Sequence, residues 1–144
     1  MKRLKCFQTL SILRGGKKLS GETYDLGCYF PPTIIANADH SMKIMTEETF
    51  GPVVGIMPFD TLETALDWAN DSPYGLAAYV FSKQLGTGLK LAEQLEAGSV
   101  WVNNIHRSHH NVPFGGMKQS GIGREKGHFG VEDYTELKTI YLNY

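Results

Sequence analysis

Several groups of side chains in this chain have the types and spacing to do chemistry. His106, Arg107, His109 and His110 crowd into residues 106–110. Neutral imidazoles bind zinc, so His106, His109 and His110 raise that option. No cysteine lies near them, and a solvated surface loop accounts for the same residues. Gly115, Gly116, Gly121 and Gly123 raise a phosphate-binding loop. They lack the order G-x-G-x-x-G after a strand, and no G-K-[ST] follows, so close backbone packing and turns explain them better. Arg124 and Glu125 are expected to form a structural charge pair. Cys6 and Cys28 make neither a disulfide framework nor a zinc-site spacing.

The elements that must position these groups follow from hydrophobic periodicity. Residues 11–15 read as a strand running into the Gly15-Gly16 turn. Residues 29–35 are held extended by Pro31 and Pro32, which restrict them to an edge or irregular strand. The apolar run 53–59 suits a strand buried on both faces. Asp60 is placed to cap a helix, with Glu63 three residues on. Leu62, Ala65, Leu66 and Ala69 share one helical face, and Asn70-Asp71-Ser72-Pro73 ends it. A strand over 76–81, a helix over 87–96 with Gly98 at the position after its cap, and a strand over 99–103 complete a strand–helix–strand–helix–strand order. That order predicts an α/β fold with a mostly parallel sheet. A helix is expected over 127–136 and a strand over 138–142.

Composition excludes other classes. The chain has 144 residues, and its 14 basic and 15 acidic side chains give a net charge of −1, which argues against nucleic acid or an anionic membrane as partner. No apolar run reaches the roughly 18–20 residues that a membrane span needs. Residues 1–21 hold Lys2, Arg3, Lys5, Arg14, Lys17 and Lys18 and no acid. A transit peptide is basic too, but this stretch is poor in serine and arginine. It is read as the solvated basic terminus of a cytoplasmic protein.

Four motifs then occur in order. Glu47-Glu48-Thr49-Phe50-Gly51-Pro52 is similar to E-E-x-F-G-P, and Asn70 to Ala77 to N-x-x-x-Y-G-L-A. Glu96 to Asn103 is similar to E-A-G-x-x-x-V-N, and Pro113 to Glu125 to P-F-G-G-x-K-x-S-G-x-G-R-E. Together they resemble the aldehyde dehydrogenase superfamily, in particular betaine- and semialdehyde-dehydrogenase-like members, with weaker similarity from about residue 11 to Tyr144. The resemblance implies the C-terminal part of such an enzyme. Residues 1–135 would be a partial catalytic domain and 136–144 an oligomerisation strand joining a second copy.

The resemblance also implies roles. Glu48 would accept hydrogen bonds from the nicotinamide ribose hydroxyls of NAD or NADP, two acceptor oxygens meeting a vicinal diol. Phe50 would pack near the nicotinamide ring, or serve as a core aromatic. His106, Arg107, Ser108, His109 and Phe114 would line the mouth of the substrate tunnel. His and Arg there imply a polar or anionic aldehyde. No metal is implied. The family's nucleophilic cysteine lies in F-x-x-x-G-Q-x-C, which neither Cys6 nor Cys28 matches. Its general-base Glu, oxyanion Asn and nucleotide-binding domain have no counterpart here. Aldehyde oxidation through a Cys thioester therefore implies a chain inactive alone. The alternative is a non-catalytic interaction module derived from a dehydrogenase tail.

Overall fold

The computed structural model describes residues 10–144, so Cys6 and the basic residues Lys2, Arg3 and Lys5 lie outside the described part. The chain forms two compact units that divide between Thr61 and Leu62.

The first unit contains β1 (Ser11–Arg14), α1 (Glu22–Asp25), β2 (Thr33–Ala36), α2 (Lys43–Thr46) and β3 (Val53–Ile56). The sheet order is β1-β2-β3, with β1 antiparallel and β3 parallel to β2. The segment expected at an edge is therefore the central strand. Pro31 and Pro32 precede Thr33, the first paired residue, so neither removes a ladder donor. Thr33 is buried, and its hydroxyl donates to the Pro31 carbonyl at 2.9 Å while accepting from the Gly16 amide at 2.9 Å. Burial of β3 on both faces is not found. Val53 and Gly55 are half-buried, whereas Val54 is 51% exposed and Ile56 49% exposed. Strand β3 leads out of the segment that holds Glu48 and Phe50.

The second unit contains α3 (Leu62–Asn70), β4 (Tyr74–Gly75), β5 (Ala77–Val80), α4 (Leu85–Gln94), β6 (Ser99–Val102), β7 (Met117–Lys118) and α5 (Phe129–Glu132). Strands β5 and β6 are parallel, Ala77 opposite Ser99 and Val80 opposite Val102, with α4 as the crossover. This α/β unit is the expected one. The first strand of the expected series, β3, pairs instead with β2, and β4 pairs with β7, so the run from 53 to 103 contributes to three sheets. Helix α3 starts at Leu62, which makes Thr61 rather than Asp60 the preceding residue.

Helix α4 starts and ends two residues before the expected bounds. It includes Gly86 and Gly88, and at Gly88 the absent Cβ lets the helix pack close to Val102 of β6. It is capped at Leu95, whose amide donates to Leu91 O at 3.0 Å, so Glu96 rather than Gly98 holds the position after the cap. A clamp joins the ends of the two long helices. Lys118 Nζ donates to the Asn70 and Ser72 carbonyls at 2.7 and 3.0 Å and pairs with Glu96 at 2.6 Å. A cation at the end of α3 also complements the helix dipole. Asn70 in turn donates to Gln94 O and accepts from the Glu96 amide, both at 2.9 Å.

The final helix is confined to α5, shorter than the expected 127–136. Residues 138–142 form no strand within the described residues, and Ile140 and Leu142 are exposed. A strand is defined by a paired neighbour, and no described segment supplies one here.

Candidate substrate pocket and cofactor contacts

Strand β6 is followed by Asn103, which turns the chain with φ +52°. Its side-chain amide pairs with the Ser82 backbone in both directions at 2.8 Å, anchoring the point where the loop 104–113 departs. The loop borders a half-open pocket of about 460 Å³ whose lining includes Trp101, His106, Arg107, Ser108, His109 and Phe114. The five residues expected at a tunnel mouth are thus brought together. His110 is not among the lining residues.

A series of rings holds the wall. Tyr79 stacks on its register partner Trp101 at 5.2 Å. Trp101 contacts His106 at 4.8 Å, and His106 meets Phe114 edge to face at 5.5 Å. His106 is therefore an aromatic wedge as well as a polar group. The far side of the loop is tied by Glu125, Lys126 and Gly127. Phe114 and Glu125 exchange backbone hydrogen bonds at 2.8 and 2.7 Å, and the Gly127 amide donates to His110 O at 2.9 Å. Lys126 Nζ donates to Ser108 Oγ and lies 5.4 Å from the centre of the Phe114 ring.

Arg124 does not form the expected charge pair. Its guanidinium donates to the carbonyls of Gly116 and Gly123, both at 2.7 Å, and its amide to Asp133 at 3.2 Å. One guanidinium nitrogen, Nη1, serves both carbonyls, and no ion pair joins Arg124 to Glu125 among the described residues. The glycines around it therefore serve turns and close packing.

Glu48 and Phe50 belong to the first unit and lie in the exposed segment between α2 and β3. Glu47 is paired with Lys43 at 3.2 Å, and no ion pair engages Glu48 among the described residues. Phe50 is 96% exposed, so no core among the described residues encloses it. An unengaged carboxylate two residues from an open aromatic ring fits a hydroxyl-bearing, flat-ringed group such as a nicotinamide riboside. Nearby, the Ser41 hydroxyl and amide donate to Asp39 and hold its carboxyl below the ordinary range.

Among the described residues no group of three or more His, Cys, Asp or Glu is arranged to hold a metal ion. No helix among them is long and apolar enough to cross a membrane. Trp101, which lines the pocket, and Lys126, which contacts the lining residues Ser108 and Phe114, were missed by sequence reasoning. The only local signal was the apolar strand carrying Trp101.

The sequence matches the aldehyde dehydrogenase family over residues 6–140. It is 46% identical to an aldehyde dehydrogenase of Enchytraeus buchholzi over 89% of this chain and 25% of that protein. It is 47% identical to a succinate semialdehyde dehydrogenase of Acinetobacter baylyi, over 89% of this chain and 27% of that protein. Among solved structures, betaine aldehyde dehydrogenase from Staphylococcus aureus in complex with NAD+ is similar with a TM-score of 0.81 and 47% identity. That likeness covers 87% of this chain and 25% of the other. The chain thus spans about a quarter of the length of these relatives. With the parallel α/β unit and the four motifs in place, the chain belongs to the aldehyde dehydrogenase family.

Proposed function

We propose that this chain is the C-terminal portion of an NAD(P)-dependent aldehyde dehydrogenase, and that it receives an aldehyde carrying an anionic or polar group. The observation that carries the reading is the convergence of His106, Arg107, Ser108, His109 and Phe114 on one pocket. NAD(P), when bound, supplies the hydride acceptor. This chain's own residues do the positioning. Glu48 accepts hydrogen bonds from ribose hydroxyls, and Phe50 covers an apolar ring face. Phe114 and Trp101 give the pocket its apolar wall, and Arg107, always charged and donor-only, selects against a cationic aldehyde. The nucleophile and general base come from outside these 144 residues. Among the relatives, the succinate semialdehyde dehydrogenase is named for an aldehyde that bears a carboxylate. A cytoplasmic setting agrees with the free thiol of Cys28; cell fractionation is the check.

Steady-state kinetics of the complete enzyme test the substrate class. Arg107→Met is expected to raise KM for an acidic aldehyde about tenfold, equivalent to about 1.4 kcal/mol, and to leave a neutral aldehyde unchanged. Equal effects on both would leave the solvated-loop reading. In the same assay Glu48→Gln is expected to raise the cofactor KM and slow hydride transfer, a loss of about 1–3 kcal/mol. Unchanged kinetics and cofactor affinity would remove Glu48 from the site.

Residues 136–144 are proposed to pair with a second copy of the chain. Ile140 and Leu142 fall on one face of an extended strand and Thr139 and Tyr141 on the other. Their free backbone groups suit strand addition. Light scattering of the 144-residue chain should give a mass above 16.0 kDa that falls when residues 138–144 are deleted. A monodisperse monomer of 16.0 kDa, still monomeric after the deletion, would rule this pairing out.

A further inference from the structure

We infer that Lys126 is a positioning residue for the pocket, and that through it Ser108 becomes a hydrogen-bond donor to an oxygen of the substrate. The inference rests on the anionic or polar aldehyde proposed above and goes further by naming the atom that meets it.

The geometry begins with the backbone. Lys126 has φ +67°, a left-handed conformation uncommon for a side-chain-bearing residue. It stands between Glu125, bridged to Phe114, and Gly127, bonded to His110 O. Three consecutive residues therefore grip the 108–114 segment, and the middle one sends its side chain back across it. The ammonium donates to Ser108 Oγ and lies over the face of Phe114. Both Ser108 and Phe114 line the pocket.

The chemistry follows from the donor inventory. An ammonium has three hydrogens and no acceptor, whereas a hydroxyl has one hydrogen and two lone pairs. A serine standing alone can turn to donate or to accept. With a lone pair of Ser108 committed to Lys126, its hydrogen is left for a third group, and the adjacent cation strengthens it as a donor. Arg107, next in the chain and also lining the pocket, offers donors only. Two neighbouring donors on one wall call for a ligand whose far end is all acceptor, as a carboxylate is. Phe114 under the ammonium restricts where that side chain can go, which fixes the hydroxyl's direction.

The test uses the complete enzyme with succinic semialdehyde and butanal as matched acidic and neutral substrates. Ser108→Ala and Lys126→Met are each expected to raise KM for the acidic aldehyde about fivefold, with kcat within about twofold and butanal unaffected. The double variant should also show about fivefold, because both changes remove one interaction. Lys126→Arg, which keeps a cationic donor, should restore the wild-type value. The inference is overturned if the two losses multiply, if butanal suffers equally, or if Ser108→Ala is silent. Arg107→Met separates the two levels. A selective Arg107 effect with a silent Ser108→Ala sinks this inference and leaves the substrate class standing. Selective Ser108 and Lys126 effects with an unselective Arg107→Met support it and remove the charge reading.

Discussion

Given NAD+ or NADP+ and a panel of aldehydes, the 144-residue chain alone is expected to reduce no cofactor. Thioester chemistry needs a thiolate beside a base, with donors prepared for the developing oxyanion. No such arrangement surrounds Cys28 among the described residues. That cysteine is exposed in the turn that follows α1, and no hydrogen bond joins it to a base among the described residues. Cys6 lies outside the described residues and outside the family's cysteine motif. Removing a nucleophile from an enzyme of the acyl-transfer kind lowers turnover about a millionfold, which puts the expected rate below detection. Absorbance of the reduced cofactor gives the reading. Turnover that Cys28→Ser or Cys6→Ser abolishes would show that a nucleophile is present after all.

That expectation and the pocket were open to the sequence in different degrees. Helix α3 was legible because its apolar positions repeat at helical spacing and Pro73 follows its end. The β5–α4–β6 unit was legible because two short apolar strands flank a helix of crossover length. The grouping of His106, Arg107, Ser108, His109 and Phe114 was legible because they are near one another along the chain. What failed depended on contacts between distant residues. Pro31 and Pro32 suggested an edge, yet they precede the first paired residue and leave both sides of β2 free to bond. Gly98 was assigned to a helix end from its position alone. Lys126 carries no local sign that it reaches Ser108, eighteen residues earlier. The 138–142 alternation records which side chains share a face, but a strand also needs a neighbour, which local sequence cannot specify.

Gly98→Ala is expected to be the most damaging single methyl addition in the second unit. A Cβ built on Gly98 would overlap the carbonyl carbon and oxygen of Gly115 and stand 3.1 Å from Gly116 Cα. All three are backbone atoms, so no rotamer change relieves the clash. The Gly98 amide also donates to Gly75 O at 2.9 Å, which keeps residue 98 from backing away. Overpacking of this kind costs about 1–3 kcal/mol and sometimes more. The displaced segment is next to Phe114, so the pocket should deform as well. Gly86→Ala is the matched control. Gly86 lies in α4, exposed, with nothing within 4 Å of the added carbon. There the methyl group should stabilise by up to about 1 kcal/mol, since alanine loses less backbone entropy than glycine on entering a helix. Urea unfolding of the complete enzyme should therefore move in opposite directions for the two variants. If Gly98→Ala is as mild as Gly86→Ala, the backbones at 98 and 115 do not approach as described. The account of how β6 and the Phe114 segment are held together would then fail.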